Sequence, residues 1–93
     1  MKQTAIRVVI TGRVQGVFFR AFVAREAERL GLRGFVRNRR DGSVEALFRG
    51  EEAAIAAMLG KCHTGPPAAQ VARVETTKAH GIVPDRFEIK PTV

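Results

Sequence analysis

The sequence predicts an α+β domain in which two helices lie on one face of a mainly antiparallel β-sheet. Two observations lead to this class. Apolar residues recur at every second position in several segments, as in strands, and at helical spacing in two others. The segments follow the order β-α-β-β-α-β, with a short extra strand at the end. The 93 residues suit one domain with a single core, so we expect residues 1–93 to form one unit.

The first strand and the first helix are separated by a change of period. In the strand, three apolar residues alternate with their neighbours: Ile6, Val8 and Ile10 with Arg7, Val9 and Thr11. In the helix, five apolar residues recur at helical spacing: Phe19, Phe22, Val23, Ala27 and Leu30. Charged residues occupy the opposite face, as in an amphipathic surface helix. Gly31 stands where a glycine commonly ends a helix.

A β-hairpin is predicted after this helix. Its first strand covers about residues 34–38, and the Asp41-Gly42 pair is typical of a turn. In its second strand three apolar residues alternate with three polar ones: Val44, Ala46 and Phe48 with Ser43, Glu45 and Arg49. Gly50 is expected to end this strand.

The second helix and the last strands complete the pattern. Glu51 and Glu52 put negative charge at a helix N-terminus, where the helix dipole favours it, and the Gly65-Pro66-Pro67 stretch ends the helix. Its apolar stripe consists of Ile55, Met58, Leu59 and Cys62. Residues 71–77 are a predicted strand, residues 79–85 a loop, and Phe87 and Ile89 mark a short final strand. This order is the split β-α-β, or ferredoxin-like, arrangement.

The composition narrows the possible partners and locations. The net charge of +7 favours an anionic partner, which could be nucleic acid, an acidic membrane surface or a small anionic substrate. No apolar run approaches the ~20 residues that span a bilayer, and no hydrophobic signal region follows Lys2. We therefore expect a cytoplasmic protein. A monomer is expected because no large exposed apolar stripe is apparent.

The single cysteine excludes some kinds of site. Cys62 has no second cysteine with which to form an internal disulfide. Together with His63 and His80 it does not have the ligand spacing of a tetrahedral zinc site. We expect neither a structural disulfide nor a zinc site.

The stretch GRVQGVFFR at residues 12–20 joins the first strand to the first helix. A glycine-bearing turn at a helix N-terminus presents open main-chain N–H groups, and Gly16 permits a positive φ and a close approach of ligand. Arg20 adds a planar guanidinium that can grip two oxygens of a phosphate or carboxylate. The alternative is an ordinary strand end followed by a solvated arginine, with Gln15 as a turn residue. The side chains of Phe18 and Phe19 are expected in the core and not on a ligand platform.

The predicted topology brings a second polar side chain to the same place. The second strand ends at Asn38, at the sheet edge where the loop after the first strand also lies. The third strand is expected to lie between the first two, which separates them by about 9–10 Å at ~4.8 Å per step. That gap suits a small anion and one water molecule between Arg20 and the Asn38 amide.

Both stretches resemble the signatures of a known family. Residues 12–20 resemble the first signature of the acylphosphatases, and GFVRN at residues 34–38 resembles the second. The glycines and valine that follow the second motif are also similar: Gly42, Val44 and Gly50. The resemblance extends to the Gly65-Pro66-Pro67-Ala68 stretch and covers essentially the whole chain.

The resemblance implies hydrolysis of an acyl phosphate to a carboxylate and inorganic phosphate. The phosphate would be bound by Arg20 and by five main-chain amides: Gln15, Gly16, Val17, Phe18 and Phe19. Asn38 would position the water that attacks phosphorus. The resemblance also implies that the reaction uses no metal, cofactor or covalent intermediate, and that inorganic phosphate is both product and competitive inhibitor.

A binding module is the main alternative. Ferredoxin-like sheets bind RNA through aromatic residues on their strands, and Arg33-Gly34-Phe35 begins like such a motif. It then departs, because Val36 and Arg37 replace the small residue and the second aromatic, and the chain has no tyrosine or tryptophan. We therefore expect no nucleic-acid partner. The cluster formed by Arg33, Arg37, Arg39 and Arg40 is either a solvated turn or a device that steers an anionic substrate.

Overall fold

A computed structural model of the chain describes residues 2–81 and 83–93, and over these it contains five strands and two helices. The elements are β1 (Gln3–Arg13), α1 (Phe19–Arg29), β2 (Arg33–Asn38), β3 (Val44–Glu51), α2 (Glu52–Thr64), β4 (Gln70–Lys78) and β5 (Phe87–Ile89). They form one sheet of order β4-β1-β3-β2-β5, in which only the β2–β5 pair is parallel. The predicted ferredoxin-like arrangement is confirmed. Ile82, in the predicted loop at 79–85, lies outside the described residues.

The core lies between the sheet and the two helices. α1 packs on β2 and β5, and α2 packs on β3 and β4. The largest fully buried side chains come from both layers: Phe19, Val23, Met58 and Cys62 from the helices, and Val8, Ile10, Val36, Val44 and Phe48 from the strands. These residues follow the predicted strand and helix periods. Their packing fixes the ends of β1 and β2 relative to the start of α1.

The last strand is short but well anchored. Phe87 stacks on Phe48 with ring centroids 5.6 Å apart, and it pairs with Gly34 in the parallel register of β5 and β2. Beyond β5 the main chain stays alongside β2, because Lys90 donates an N–H hydrogen bond of 2.9 Å to the carbonyl of Val36. This course carries Ile89 towards the end of β2.

The sequence prediction was wrong about Gly50. β3 continues through Gly50 to Glu51, and α2 begins at the next residue. Gly50 is buried, and its backbone lies close to the Leu32 side chain: a Cβ at position 50 would lie 2.5 Å from Leu32 Cδ2. A glycine in a strand can therefore mark a tight contact with a neighbouring element instead of an end of the strand.

Glu45 differs from what strand alternation suggests. It belongs with the polar residues of β3, yet it is only 5% exposed. Arg37 Nε donates to Glu45 Oε1 at 2.7 Å, and Arg7 Nε donates to Oε2 at 2.5 Å. Burial alone would raise the pKa of this carboxyl, but the two guanidiniums outweigh burial and hold the pKa below its usual value. The face of the sheet away from the helices thus carries a buried carboxylate paired with two partly buried guanidiniums.

Replacing Glu45 with glutamine is expected to lower the free energy of unfolding by about 2 kcal/mol near pH 7, because two partly buried guanidiniums lose their carboxylate. The folded-state pKa of Glu45 is lowered, so its stabilisation is complete above the ordinary pKa near 4.5 and is lost as the pH falls through the folded value. Urea unfolding of both proteins from pH 7 downwards should show the difference shrinking below about pH 4.5. Glu75→Gln, at an exposed pair with Arg73, is the control.

A constant difference at all pH values would contradict this account of Glu45. So would a loss in the Glu75→Gln control as large as that in Glu45→Gln.

In the RNA-binding alternative, aromatic residues on the face of the sheet away from the helices would bind the RNA. Within residues 2–81 and 83–93, Phe35 is the one aromatic residue that a strand places on this face. Its ring is covered by two cations, with Lys90 Nζ 4.6 Å and Arg37 Cζ 4.9 Å from the ring centroid. A stacking platform uses several open rings. Among the described residues, neither helix is long and apolar enough to cross a membrane.

Candidate active site

A cleft of about 520 Å³ opens where β1 leads into α1. Its walls come from the loop after β1, the first turn of α1, and the ends of β2 and β5: Val14, Gly16, Phe18, Phe19, Arg20, Ala21, Asn38 and Ile89. β3 lies between β1 and β2 in the sheet, as the sequence predicts. The structure therefore brings Arg20 and Asn38 to one cleft from two different elements.

The loop before α1 has an unusual backbone. Gly16 has φ 72° and Phe18, the residue before the helix, has φ 64°, so both adopt left-handed geometry. A Cβ on Gly16 would meet no atom within 4 Å, so the glycine is required by its backbone angles and not by lack of space. An aromatic residue rarely takes this geometry, which concentrates at functional sites.

The same loop leaves main-chain donors open. Within the described residues, no N–H of residues 15–20 donates to a carbonyl or a side chain. The helix also begins without a side-chain cap and without an acidic residue in its first turn. Open N–H groups at a helix N-terminus, with the positive end of the helix dipole, favour an anion.

Arg20 adds a full charge to this end of the helix. It is half-buried in the first turn of α1 and lines the cleft. Among the described residues its guanidinium pairs with no carboxylate, whereas Arg29 and Arg37 each bind one. Its planar fork is therefore available for two oxygens of a bound anion.

Asn38 presents an unusual polar atom. Its Oδ1 is a buried side-chain atom that finds no hydrogen-bond partner among the described residues. The main chain around it is well held, because Val93 N–H donates to the Asn38 carbonyl at 3.1 Å. A buried amide oxygen without a protein partner is costly, and a water molecule or a ligand in the cleft would satisfy it.

Gln15 has a role that the sequence did not reveal. Its Nε2 donates to the carbonyls of Arg39 at 2.7 Å and Ser43 at 2.9 Å, both in the turn that follows Asn38. The side chain thus ties the loop after β1 to the β2–β3 hairpin. An amide two positions after a strand gives no signal of which distant carbonyls it will bind.

Phe18 and Phe19, both expected in the core, differ in how far their side chains are exposed. Phe19 is 2% exposed and packs edge-on against Phe22, with ring centroids 6.0 Å apart. Phe18 is 83% exposed, so its assignment to the core is wrong. The left-handed backbone at Phe18 turns its side chain out of the helical pattern that begins one residue later. Val17 is also buried, and neither it nor Gln15 is among the residues that line the cleft.

The remaining reactive groups lie elsewhere. Cys62 is buried and unpaired, and burial raises the pKa of its thiol to about 12, so it is a packing residue as the sequence predicts. In the part of the chain that the structure describes, no cluster of three or more His, Cys, Asp or Glu residues could hold a metal ion. The cleft is thus built from amides, one guanidinium and apolar side chains.

Comparison with known proteins shows the family of this chain. The acylphosphatase family profile matches residues 6–89. An acylphosphatase of Rhodopseudomonas palustris is 53% identical over 79 residues, covering 85% of this chain and 80% of that protein. One from Rhodospirillum rubrum is 46% identical over the whole of both chains. The structure of an acylphosphatase from Coxiella burnetii superposes with a TM-score of 0.90 at 36% identity, over 95% of this chain and 93% of the other. The chain therefore belongs to the acylphosphatase family, whose members are enzymes that hydrolyse acyl phosphates.

Proposed function

We propose that this enzyme hydrolyses acyl phosphates by direct attack of a water molecule on phosphorus. The observation that carries the proposal is the buried Asn38 Oδ1, which has no hydrogen-bond partner among the described residues and belongs to a residue that lines the same cleft as Arg20. A water that donates a hydrogen bond to this oxygen would satisfy it and direct its own lone pair into the cleft. Positioning of this kind removes much of the entropic cost of the attack.

The phosphate group is bound by the start of α1. The main-chain N–H groups of residues 15–19 surround its oxygens, and the Arg20 fork binds two of them. Orienting these donors around the phosphate costs little, because they are already held in place by the helix and by the Gln15 hydrogen bonds to the hairpin. Such preorganised donors stabilise the charge on the phosphoryl oxygens in the transition state.

The leaving group explains why so few side chains are needed. A carboxylate has a conjugate acid of pKa about 4, so it departs without being protonated and no general acid is required. Phosphoryl transfer to water passes through a loose transition state, in which positioning and electrostatics are the main contributions of the protein. Asn38 is too weak a base to take the proton of water, which passes to an oxygen of the substrate. The reaction forms the new P–O bond as the P–O bond to the carboxylate breaks, without a covalent enzyme intermediate.

The direct test offers the purified enzyme two substrates in the presence of a chelator. Benzoyl phosphate should be hydrolysed, whereas an aryl phosphate monoester, with its much poorer leaving group, should be hydrolysed at least about a thousandfold more slowly. Inorganic phosphate should inhibit competitively. Loss of activity with the chelator, restored by a divalent metal, would contradict the metal-free reaction. Equal rates on the two substrates would contradict an acyl phosphatase.

The basic residues near Asn38 lead to a further prediction. Arg33 is exposed at the start of β2, at the end away from Asn38, and Arg40 is exposed in the turn after Asn38, whereas Arg37 is already paired with Glu45. If these charges steer the substrate, kcat/KM should fall severalfold between about 0.01 M and 0.5 M salt, with kcat almost unchanged. The double variant Arg33→Gln/Arg40→Gln should have a flatter salt dependence. A salt-independent kcat/KM would exclude steering of the substrate by these arginines.

Three properties expected from the sequence stay predictions. These are the cytoplasmic location, the monomeric state and the assignment of residues 1–93 to a single domain. Size-exclusion chromatography with light scattering tests the second of them directly.

A further inference from the structure

A second depression lies beside the active-site cleft. It has a volume of about 370 Å³ and is bounded by the first two turns of α1 and by the segment between α2 and β4. Its apolar walls include Phe18, Ala21, Phe22, Pro66, Pro67 and Ala68. We refer to it as the proline groove. Phe18 and Ala21 line both the cleft and the groove, so the two cavities adjoin at the Phe18 side chain.

The fold does not explain why an exposed phenylalanine stands at position 18. A phenylalanine that is 83% exposed gains little from the core, and its φ of 64° is unfavourable for a side chain of this size. Its main-chain N–H is needed for the phosphate, but any residue would supply that group. The exposed ring, standing between the cleft and an apolar groove, is suited to contact an apolar part of the substrate.

The direction of attack places the acyl group on the groove side. In an in-line displacement, the attacking and leaving oxygens lie on opposite sides of phosphorus. The attacking water lies on the side of Asn38, which ends β2. In the sheet order β4-β1-β3-β2-β5, the phosphate loop follows β1, with β2 to one side and β4 to the other. Residues 66–68 lead into β4, so the groove lies away from Asn38.

We propose that the proline groove is the acyl-binding subsite, and that it selects acyl phosphates with a flat apolar acyl group over those with a small or polar one. This inference rests on the proposed function. The acyl group leaves phosphorus across the Phe18 ring and is covered by the Pro66-Pro67 segment. Ile89, which is 52% exposed, lies on the opposite wall of the cleft near Asn38 and does not contact the acyl group.

The test compares benzoyl phosphate with acetyl phosphate, which have the same reacting bond but differ in apolar area. For the wild type, kcat/KM should be at least about tenfold higher for benzoyl phosphate, chiefly through KM. Phe18→Ala should lower this ratio at least about fivefold. Ala68→Gln, which places a polar side chain in the groove, should lower the ratio as well, while it keeps acetyl phosphate hydrolysis and inhibition by inorganic phosphate. Ile89→Ala, the matched apolar truncation on the other wall, should leave the ratio unchanged.

The outcomes separate the two proposals. If the wild type hydrolyses neither substrate, the proposed function fails and the subsite fails with it. If it hydrolyses both, but the ratio is unaffected by Phe18→Ala and Ala68→Gln, only the subsite is overturned. A ratio that falls in Ile89→Ala and not in Phe18→Ala would place the acyl group on the Asn38 side and would also overturn the subsite.

Discussion

Replacing Arg20 with lysine should lower kcat/KM for benzoyl phosphate by about a hundredfold or more. Lysine keeps the positive charge, but it replaces a planar fork by a point charge that cannot donate two parallel hydrogen bonds to phosphoryl oxygens. The loss should appear in KM and in kcat, because these hydrogen bonds strengthen as charge develops in the transition state. Steady-state kinetics with benzoyl phosphate, together with the inhibition constant of inorganic phosphate, measure both effects.

The control lies in the same helix. Arg29→Lys makes the same chemical change at the other end of α1, where the guanidinium binds Glu26 at 2.7 Å. It should leave kinetics unchanged and stability almost so, since the pair is exposed. If Arg20→Lys retained turnover close to that of the wild type, a simple positive charge would suffice and the bidentate role would be wrong.

Much of this site could be predicted because it depends on topology. A change from strand to helical period at Phe19 places a helix N-terminus after β1, and the β-α-β-β order brings the ends of β1 and β2 to one edge. The positions of Arg20 and Asn38 follow from these two facts, since neither depends on detailed packing. The glycine at position 16 is likewise local, because a positive φ depends on the residue itself.

The parts that could not be predicted depend on contacts between distant residues. Alternation groups Glu45 with the polar residues of β3, but its burial is decided by Arg7 and Arg37 on two other strands. Gln15 binds carbonyls more than twenty positions away, at Arg39 and Ser43. Phe18 lies at the boundary between the loop and α1, where its own backbone angles determine whether its side chain enters the core or faces solvent. Local patterns contain no information on such partners.

Asn38→Ala should reduce kcat by about a thousandfold or more while inorganic phosphate still binds. The substitution removes the oxygen that we propose orients the attacking water, but it leaves Arg20 and the main-chain donors in place. Phosphate affinity, measured by titration calorimetry on the inactive variant, should stay within about threefold of the wild-type value. Gln70→Ala, which removes an exposed amide side chain from β4, should behave as the wild type does.

Stability separates a functional Asn38 from a structural one. The Asn38 Oδ1 is buried without a partner in the described part of the chain, so its removal takes away a desolvation cost and no protein hydrogen bond of that oxygen. The thermal midpoint of Asn38→Ala should therefore equal or exceed that of the wild type, the pattern expected when a residue is kept for function at some cost in stability. A midpoint several degrees lower, or loss of phosphate binding together with activity, would mean that Asn38 shapes the phosphate site instead of holding the water. Because activity, phosphate affinity and stability are predicted to change independently, no single structural defect could produce the expected result.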